Sequence, residues 1–148
     1  MHIPPVIQLA FWAGIAWGIH LLVPALDRHF TGQQAVAQAL YLAGLAVAIA
    51  GMVEFARART TINPVAPEQA SRVVATGIYR FTRNPMYLGM AMLLAGAIVW
   101  FGNPLGAIAL PGFILGMTMT QIAAEEAALS AKFGDDYGAY KGRVRRWL

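Results

Sequence analysis

The residues best suited to chemistry lie in two short segments that border apolar runs. The first, Thr76–Gly89, combines two Arg, an Asn, a Pro and two Tyr residues immediately before a long apolar stretch. We call this segment the collar. The second is the pair Glu125-Glu126, which follows another apolar stretch. Arg side chains bind carboxylates or phosphates, and Tyr rings contact cations. These two segments are therefore the candidate ligand-binding residues of the chain.

The composition indicates that both segments belong to an integral membrane protein. The chain of 148 residues is 58% hydrophobic and 12% charged, whereas soluble domains carry roughly 25% charged residues. The absence of cysteine excludes disulfides and thiolate metal sites. His2, His20 and His29 are not spaced as a ligand set, so no metal site is predicted. The net charge of +4 is assigned to contact with an anionic membrane leaflet and not with nucleic acid.

Four apolar runs approach the roughly 17–25 residues that a membrane-spanning helix needs. They cover about residues 5–26, 34–55, 86–102 and 105–124. We therefore predict an all-α fold, an integral membrane bundle of about four transmembrane helices with a cytoplasmic C-terminal helical tail. Residues 1–148 are expected to form a single domain, with a cytoplasmic loop at 56–85 and the tail at 125–148. The first run is interpreted as a retained helix and not as a cleaved signal peptide.

The basic residues predict the orientation of the bundle. Of the 11 Lys and Arg residues, only Arg28 lies outside two regions, one between the second and third runs and one after the fourth. An even number of spans puts both regions on one side, which the positive-inside rule assigns to the cytoplasm. Both chain ends are expected to be cytoplasmic, and the membrane is expected to be a bacterial inner membrane.

Turn and glycine patterns predict how the helices pack. Gly102-Asn103-Pro104 is a turn composition that makes the third and fourth runs an antiparallel hairpin. The hairpin should bring Glu125-Glu126 close to the collar. Glycines four residues apart, Gly14 with Gly18 and Gly112 with Gly116, predict close helix contacts, either within the chain or between chains.

The tail carries its own signals. Gly134 is predicted to interrupt its helix. Residues 143–148, which are basic and aromatic, are predicted to lie at the lipid headgroups.

The collar and the glutamates together suit a zwitterionic ligand that carries an aromatic base. S-adenosylmethionine has a carboxylate, an ammonium, a sulfonium and an adenine, and it fits that set. In the alternative interpretation, Arg80 and Arg83 anchor the helix, Tyr79 and Tyr87 form an aromatic belt, and the glutamates are solvated. Composition and spacing leave both interpretations open. Glu54, at the end of the second run, is either an ion-paired residue or part of the site.

The order of residues in both segments resembles a known signature. The first half reads Val73-Val74-Ala-Thr-Gly77-x-Tyr79-Arg-x-x-Arg83-Asn84-Pro85-x-Tyr87-x-Gly89. The second half reads Glu125-Glu126-x-x-Leu129-x-x-x-Phe133-Gly134-x-x-Tyr137-x-x-Tyr140-x-x-x-Val144. Together they resemble the isoprenylcysteine carboxyl methyltransferase and phospholipid methyltransferase superfamily of integral membrane enzymes.

The resemblance implies an S-adenosylmethionine-dependent methyltransferase whose lipophilic acceptor arrives from the bilayer. The residues implied to bind the cofactor are Val73, Val74, Gly77, Tyr79, Arg83, Asn84, Pro85, Met86, Tyr87, Glu125 and Glu126. No catalytic base is assigned. Asn84 and Gln121 stand where members that methylate prenylcysteine carry His and Arg. The acceptor class therefore stays open among prenylcysteine-like carboxylates, phospholipid amines and thiols.

Two other classes of function remain as alternatives. One is an NADPH-dependent membrane reductase of the sterol-reductase type. The other is a non-enzymatic small membrane transporter or accessory subunit, although the acidic residues cluster at the membrane boundary and not near its midplane.

Overall fold

The structure is a computed structural model that describes residues 3–58 and 72–148, and every regular element within these ranges is helical. The predicted all-α class is confirmed. Residues 59–71 of the predicted loop lie outside the described residues. The main helices are α1 (Pro5–Leu22), α2 (Gln33–Ala58), α3 (Pro85–Phe101), α4 (Ala109–Met117) and α5 (Ala123–Arg143). Short 3-10 turns cover Pro24–Leu26, Gly77–Arg80 and Pro104–Ile108, and a π-helical turn covers Thr118–Ile122.

Three helical stretches in the described part of the chain are long and apolar enough to cross a membrane. They are Pro5–Leu22, Gln33–Ala58 and the continuous stretch Pro104–Arg143. The helix of the predicted third span is shorter than these three stretches. It is α3, and its 17 residues are at the lower limit for a spanning helix. The first run ends at Leu22 and not at residue 26, because Val23 precedes Pro24 and the residue before proline disfavours helical backbone.

The closest helix pair is α2 with α3, and it packs through glycines. A Cβ atom on Gly89 would lie 2.5 Å from the backbone oxygen of Gly44, and one on Gly44 would lie 2.7 Å from the oxygen of Gly89. Gly96 accommodates the Tyr41 ring in the same way. Close backbone approach of this kind gives helices in a membrane their van der Waals contact. It fixes α3, and hence the collar at its start, against α2.

The predicted glycine pairs have different outcomes in α1 and α4. Gly112 and Gly116 of α4 receive the Trp12 ring and the Gln8 amide of α1, so that prediction is confirmed. Gly14 and Gly18 do not pack on another helix of the described residues, because a Cβ built at either position would have no such neighbour within 4 Å, and packing of this pair between chains stays a prediction. The face of α1 that packs on α4 is instead the one that carries Gln8 and Trp12.

The turn between α3 and α4 forms the predicted hairpin. Gly102 ends α3 in the left-handed conformation, with φ of 74°, and its N–H binds the Ile98 oxygen. The Asn103 side chain accepts a bond from the Leu105 N–H and donates to Asp27 at 2.7 Å. The hairpin returns the chain along α3, so α5 begins beside the collar. Gly134 interrupts α5 as predicted, with φ of 51° and ψ of −122°.

Candidate functional site

The collar begins with a tight turn that is fastened to the end of α2. Gly77 has a positive φ of 55°, and a Cβ atom there would lie 2.5 Å from the Glu54 carboxyl group. Thr76 Oγ1 donates to Glu54 Oε2 at 2.6 Å, and Arg57 Nη1 donates to Glu54 Oε1 at 3.1 Å. Glu54 is buried. The sequence left the role of Glu54 open between an ion pair and the site, and the structure makes it the support of the collar turn.

Tyr79 is the buried aromatic residue of this turn, with 4% of its surface exposed. Its ring contacts Phe55 edge to face, with ring centroids 5.4 Å apart. Its backbone oxygen accepts a bond from the Tyr140 hydroxyl at 2.8 Å, which joins the turn to the tail. Burial, followed by the neighbouring Tyr140, Glu125 and Glu54, raises the pKa of Tyr79. The phenol is therefore a neutral group at physiological pH.

Hydrogen bonds from Tyr87 and Gln121 hold Glu125 of α5 beside the start of α3. Tyr87 Oη donates to Glu125 Oε1 at 2.5 Å, and Gln121 Nε2 donates to the same oxygen at 3.0 Å. Gln121 lies in the π-helical turn Thr118–Ile122 and is almost fully buried, with 1% exposure. Single π turns inside helices are frequent at functional sites. Glu125 itself is only partly buried, so its carboxylate lies at an accessible edge of the collar.

Glu126 is the centre of an ion triple with two arginines. Arg83 Nη2 donates to Glu126 Oε1 at 2.9 Å, and Arg146 donates to both carboxylate oxygens, at 3.0 Å from Nε and 2.7 Å from Nη2. The side chains of Arg83 and Glu126 are each 10% exposed. Burial alone would raise the pKa of Glu126, but the Arg146 hydrogen bond and the charges of Arg83, Arg146 and Lys141 lower it below its ordinary value.

Arg83 retains one buried donor nitrogen without a partner among the described residues. Its Nη2 bonds to Glu126 and its Nη1 lies 3.4 Å from the Lys141 oxygen. Its Nε is buried and has no hydrogen-bond partner among the residues that the structure describes. A buried guanidinium donor normally has a partner, so this atom suits an anionic oxygen supplied by a ligand.

The last residues of the chain, whose position at the headgroups stays a prediction, include two that contact the rest of the protein, Arg146 and Trp147. Asn84 Nδ2 donates to the Arg146 backbone oxygen at 2.9 Å, and Trp147 Nε1 donates to Thr118 Oγ1 at 3.3 Å. Trp147 also packs against the main hydrophobic core. Arg146 is thus a site residue that the sequence analysis missed.

The predicted cofactor residues fall into two neighbouring groups. The hydrogen bonds described above join three collar residues to α5 and the tail. Arg83 bonds to Glu126, Asn84 to Arg146 and Tyr87 to Glu125. The other group faces α2 and the buried tyrosines of α5. Val73, Val74 and Tyr79 pack with Tyr137 and Tyr140. Pro85 and Met86 lie against Gly51, whose Cβ would be 3.0 Å and 3.1 Å from their Cγ atoms.

Fold and site together define a helical membrane protein with a polar site where the collar between α2 and α3 meets α5. The family of phospholipid methyltransferases matches this chain over residues 33–136, and the chain belongs to that family. The match includes α2, the collar and the glutamate pair. It ends at residue 136, before Arg146.

Individual relatives agree with this assignment. The chain is 46% identical over 63 residues, 43% of its length, to the full length of an uncharacterized protein of Haemophilus influenzae. It is 31% identical over 88 residues to protein-S-isoprenylcysteine O-methyltransferase B of Arabidopsis thaliana, covering 60% of this chain and 45% of that protein. It is 30% identical over 104 residues to a probable protein-S-isoprenylcysteine O-methyltransferase of Oryza sativa subsp. japonica, covering 70% and 52%.

The chain spans about half the length of these plant methyltransferases. No solved structure matches the chain.

Proposed function

We propose that this protein transfers a methyl group from S-adenosylmethionine to a lipophilic acceptor at the cytoplasmic boundary of the membrane. One observation carries the proposal. The two segments that resemble the methyltransferase signature lie together, joined by the Tyr87–Glu125 hydrogen bond and the Arg83–Glu126 ion pair. Family membership supports methyl transfer as the reaction class.

The residues of the site suit the cofactor. Glu125 would meet the ammonium group, and the unused Arg83 Nε would meet the carboxylate. Phe55, which is partly exposed, would offer aromatic surface for the adenine, and the buried Tyr79 ring would support Phe55 edge to face. Val73, Val74, Gly77, Asn84, Pro85, Met86 and Tyr87 are proposed to complete the lining. Glu126, which Arg83 and Arg146 already neutralise, is the structural member of the glutamate pair.

The chemistry needs positioning more than acid–base catalysis. S-adenosylmethionine supplies a methyl group on a sulfonium, which is transferred by in-line displacement. The chain must hold donor and acceptor in line and exclude water, and the buried part of the collar, with Tyr79, Thr82 and Tyr87, suits both tasks. A carboxylate or thiolate acceptor needs no base, and an amine must only arrive deprotonated. Asn84 and Gln121, which replace the His and Arg of prenylcysteine-methylating members, leave the acceptor open among these three classes.

The same proposal includes the orientation and organisation of the chain. Residues 1–148 would act as one domain in a bacterial inner membrane. The collar, the tail and both chain ends would face the cytoplasm, since the basic residues concentrate at that end.

Ligand binding tests this proposal against the two alternatives. Isothermal calorimetry of the purified chain in detergent should detect binding of S-adenosylhomocysteine at about one site per chain and no binding of NADPH. S-adenosylhomocysteine, the product of methyl transfer, is chosen because it keeps the carboxylate, ammonium and adenine groups. Binding of NADPH alone would favour the reductase, and binding of neither would favour a transporter or accessory subunit.

A further inference from the structure

The last five residues, 144–148, leave α5 and turn back over the collar. We call them the strap. Val144 ends the helix with extended backbone, at φ of −122° and ψ of 131°. Three consecutive collar residues then donate to strap oxygens. Arg83 N bonds to the Arg145 oxygen at 3.0 Å, and Thr82 Oγ1 and Asn84 Nδ2 bond to the Arg146 oxygen at 3.3 Å and 2.9 Å.

The strap has an inner and an outer side. Arg146 and Trp147 are partly buried, the first on Glu126 and the second on Thr118 and the core. Arg145 and Leu148 are exposed. The inner side therefore delivers one cation into the site, and Arg145 provides a neighbouring arginine outside it.

Arg146 determines how Glu126 uses its two oxygens. It takes both of them, so Arg83 shares only Oε1, through a single Nη2 bond. The Nε of Arg83 is left without a partner among the described residues. An arginine facing a carboxylate alone prefers a bidentate pair of N–H bonds. Without Arg146, Glu126 would be drawn into such a pair with Arg83 and would occupy the donors that now remain available.

We infer that Arg146 is a positioning residue of the cofactor site: by holding Glu126, the strap keeps Arg83 available for the carboxylate of the amino-acid part of the cofactor. This inference rests on the proposed function, because it requires that the ligand carry a carboxylate. Arg146 does not itself touch the ligand. Its removal should change affinity for the amino-acid part of the ligand and leave the binding of the nucleoside part unchanged.

The test compares two ligands and three variants of the full chain by calorimetry in detergent. S-adenosylhomocysteine contains the carboxylate, and 5′-methylthioadenosine lacks the whole amino-acid group. Arg146→Ala is expected to weaken S-adenosylhomocysteine binding about tenfold, the size of effect common for residues coupled in one network. It should change 5′-methylthioadenosine binding by less than about twofold. Arg145→Ala, the matched control on the outer side, should change neither.

Arg146→Lys covers the case in which the alanine variant fails to fold. Lysine keeps the charge but lacks the planar fork, so we expect an affinity between those of wild type and Arg146→Ala, with unchanged stoichiometry. An equal loss of both ligands would overturn the inference, because it would indicate general damage. So would wild-type affinity in both Arg146 variants. If the wild-type chain bound 5′-methylthioadenosine and S-adenosylhomocysteine alike, the positioning role would be wrong and a nucleoside site would stand. Failure to bind either would reject the proposed function itself.

Discussion

Replacing Glu125 by glutamine is expected to weaken S-adenosylhomocysteine binding by about 30-fold, or about 2 kcal/mol. Glutamine can still accept hydrogen bonds from Tyr87 and Gln121, so the local packing should survive. What is lost is the negative charge that we assign to the ligand ammonium. Calorimetry in detergent measures the effect, with melting temperature as a check that the variant is folded.

Asp135→Asn is the matched control for Glu125→Gln. Asp135 is an exposed acid on the same helix, beyond the interruption at Gly134. The substitution Asp135→Asn should therefore leave the affinity for S-adenosylhomocysteine unchanged. If Glu125→Gln bound the ligand as tightly as wild type, the assignment of Glu125 to the ammonium would be wrong. If both variants weakened binding equally, the effect would come from net charge and not from the site.

Glu126→Gln is expected to reduce stability, by about 3 kcal/mol at neutral pH, because two arginines lose the carboxylate between them. The effect should depend on pH in a defined direction. The pKa of Glu126 in the folded protein is lowered below its ordinary value of 4.5. Its stabilisation is therefore fully present above pH 4.5 and is lost as the pH falls through the folded pKa.

Melting curves of wild type and Glu126→Gln in detergent, recorded between pH 7 and pH 3, measure this dependence. The two curves should be separated by a constant difference down to about pH 5 and converge at lower pH. Asp136→Asn, at an exposed acid of the same helix, should match wild type throughout. A difference that persisted undiminished at pH 3, or no difference at pH 7, would contradict the ion triple.

The sequence predicted the helical membrane class, the hairpin and the meeting of collar and glutamates, because these depend on local signals. Apolar length, the Gly102-Asn103-Pro104 turn and the interruption at Gly134 each act within a few residues. The glycine pairs mark the limit of such signals. Gly14 with Gly18 has the same spacing as Gly112 with Gly116, yet within the described residues only the second pair faces a neighbouring helix. Which face of a helix is covered depends on tertiary packing.

The strap and the Glu54 support could not be predicted, because their contacts join distant parts of the chain. Asn84 meets Arg146 across 62 positions, and Thr76 meets Glu54 across 22. Neither pair belongs to a periodic pattern. The basic and aromatic composition of residues 143–148 is equally typical of a headgroup segment.

Transfer of a labelled methyl group tests the central claim most directly. Membranes from cells that produce the protein would be incubated with S-adenosylmethionine labelled in its methyl group, and label would be counted in the lipid extract. Membranes carrying Glu125→Gln at equal protein level provide the control for host enzymes. Our account predicts label in the lipid extract with the wild-type protein and a large reduction with the variant. Equal label in membranes with the wild-type protein, with the variant and from cells that do not produce the protein would contradict the proposed methyl transfer.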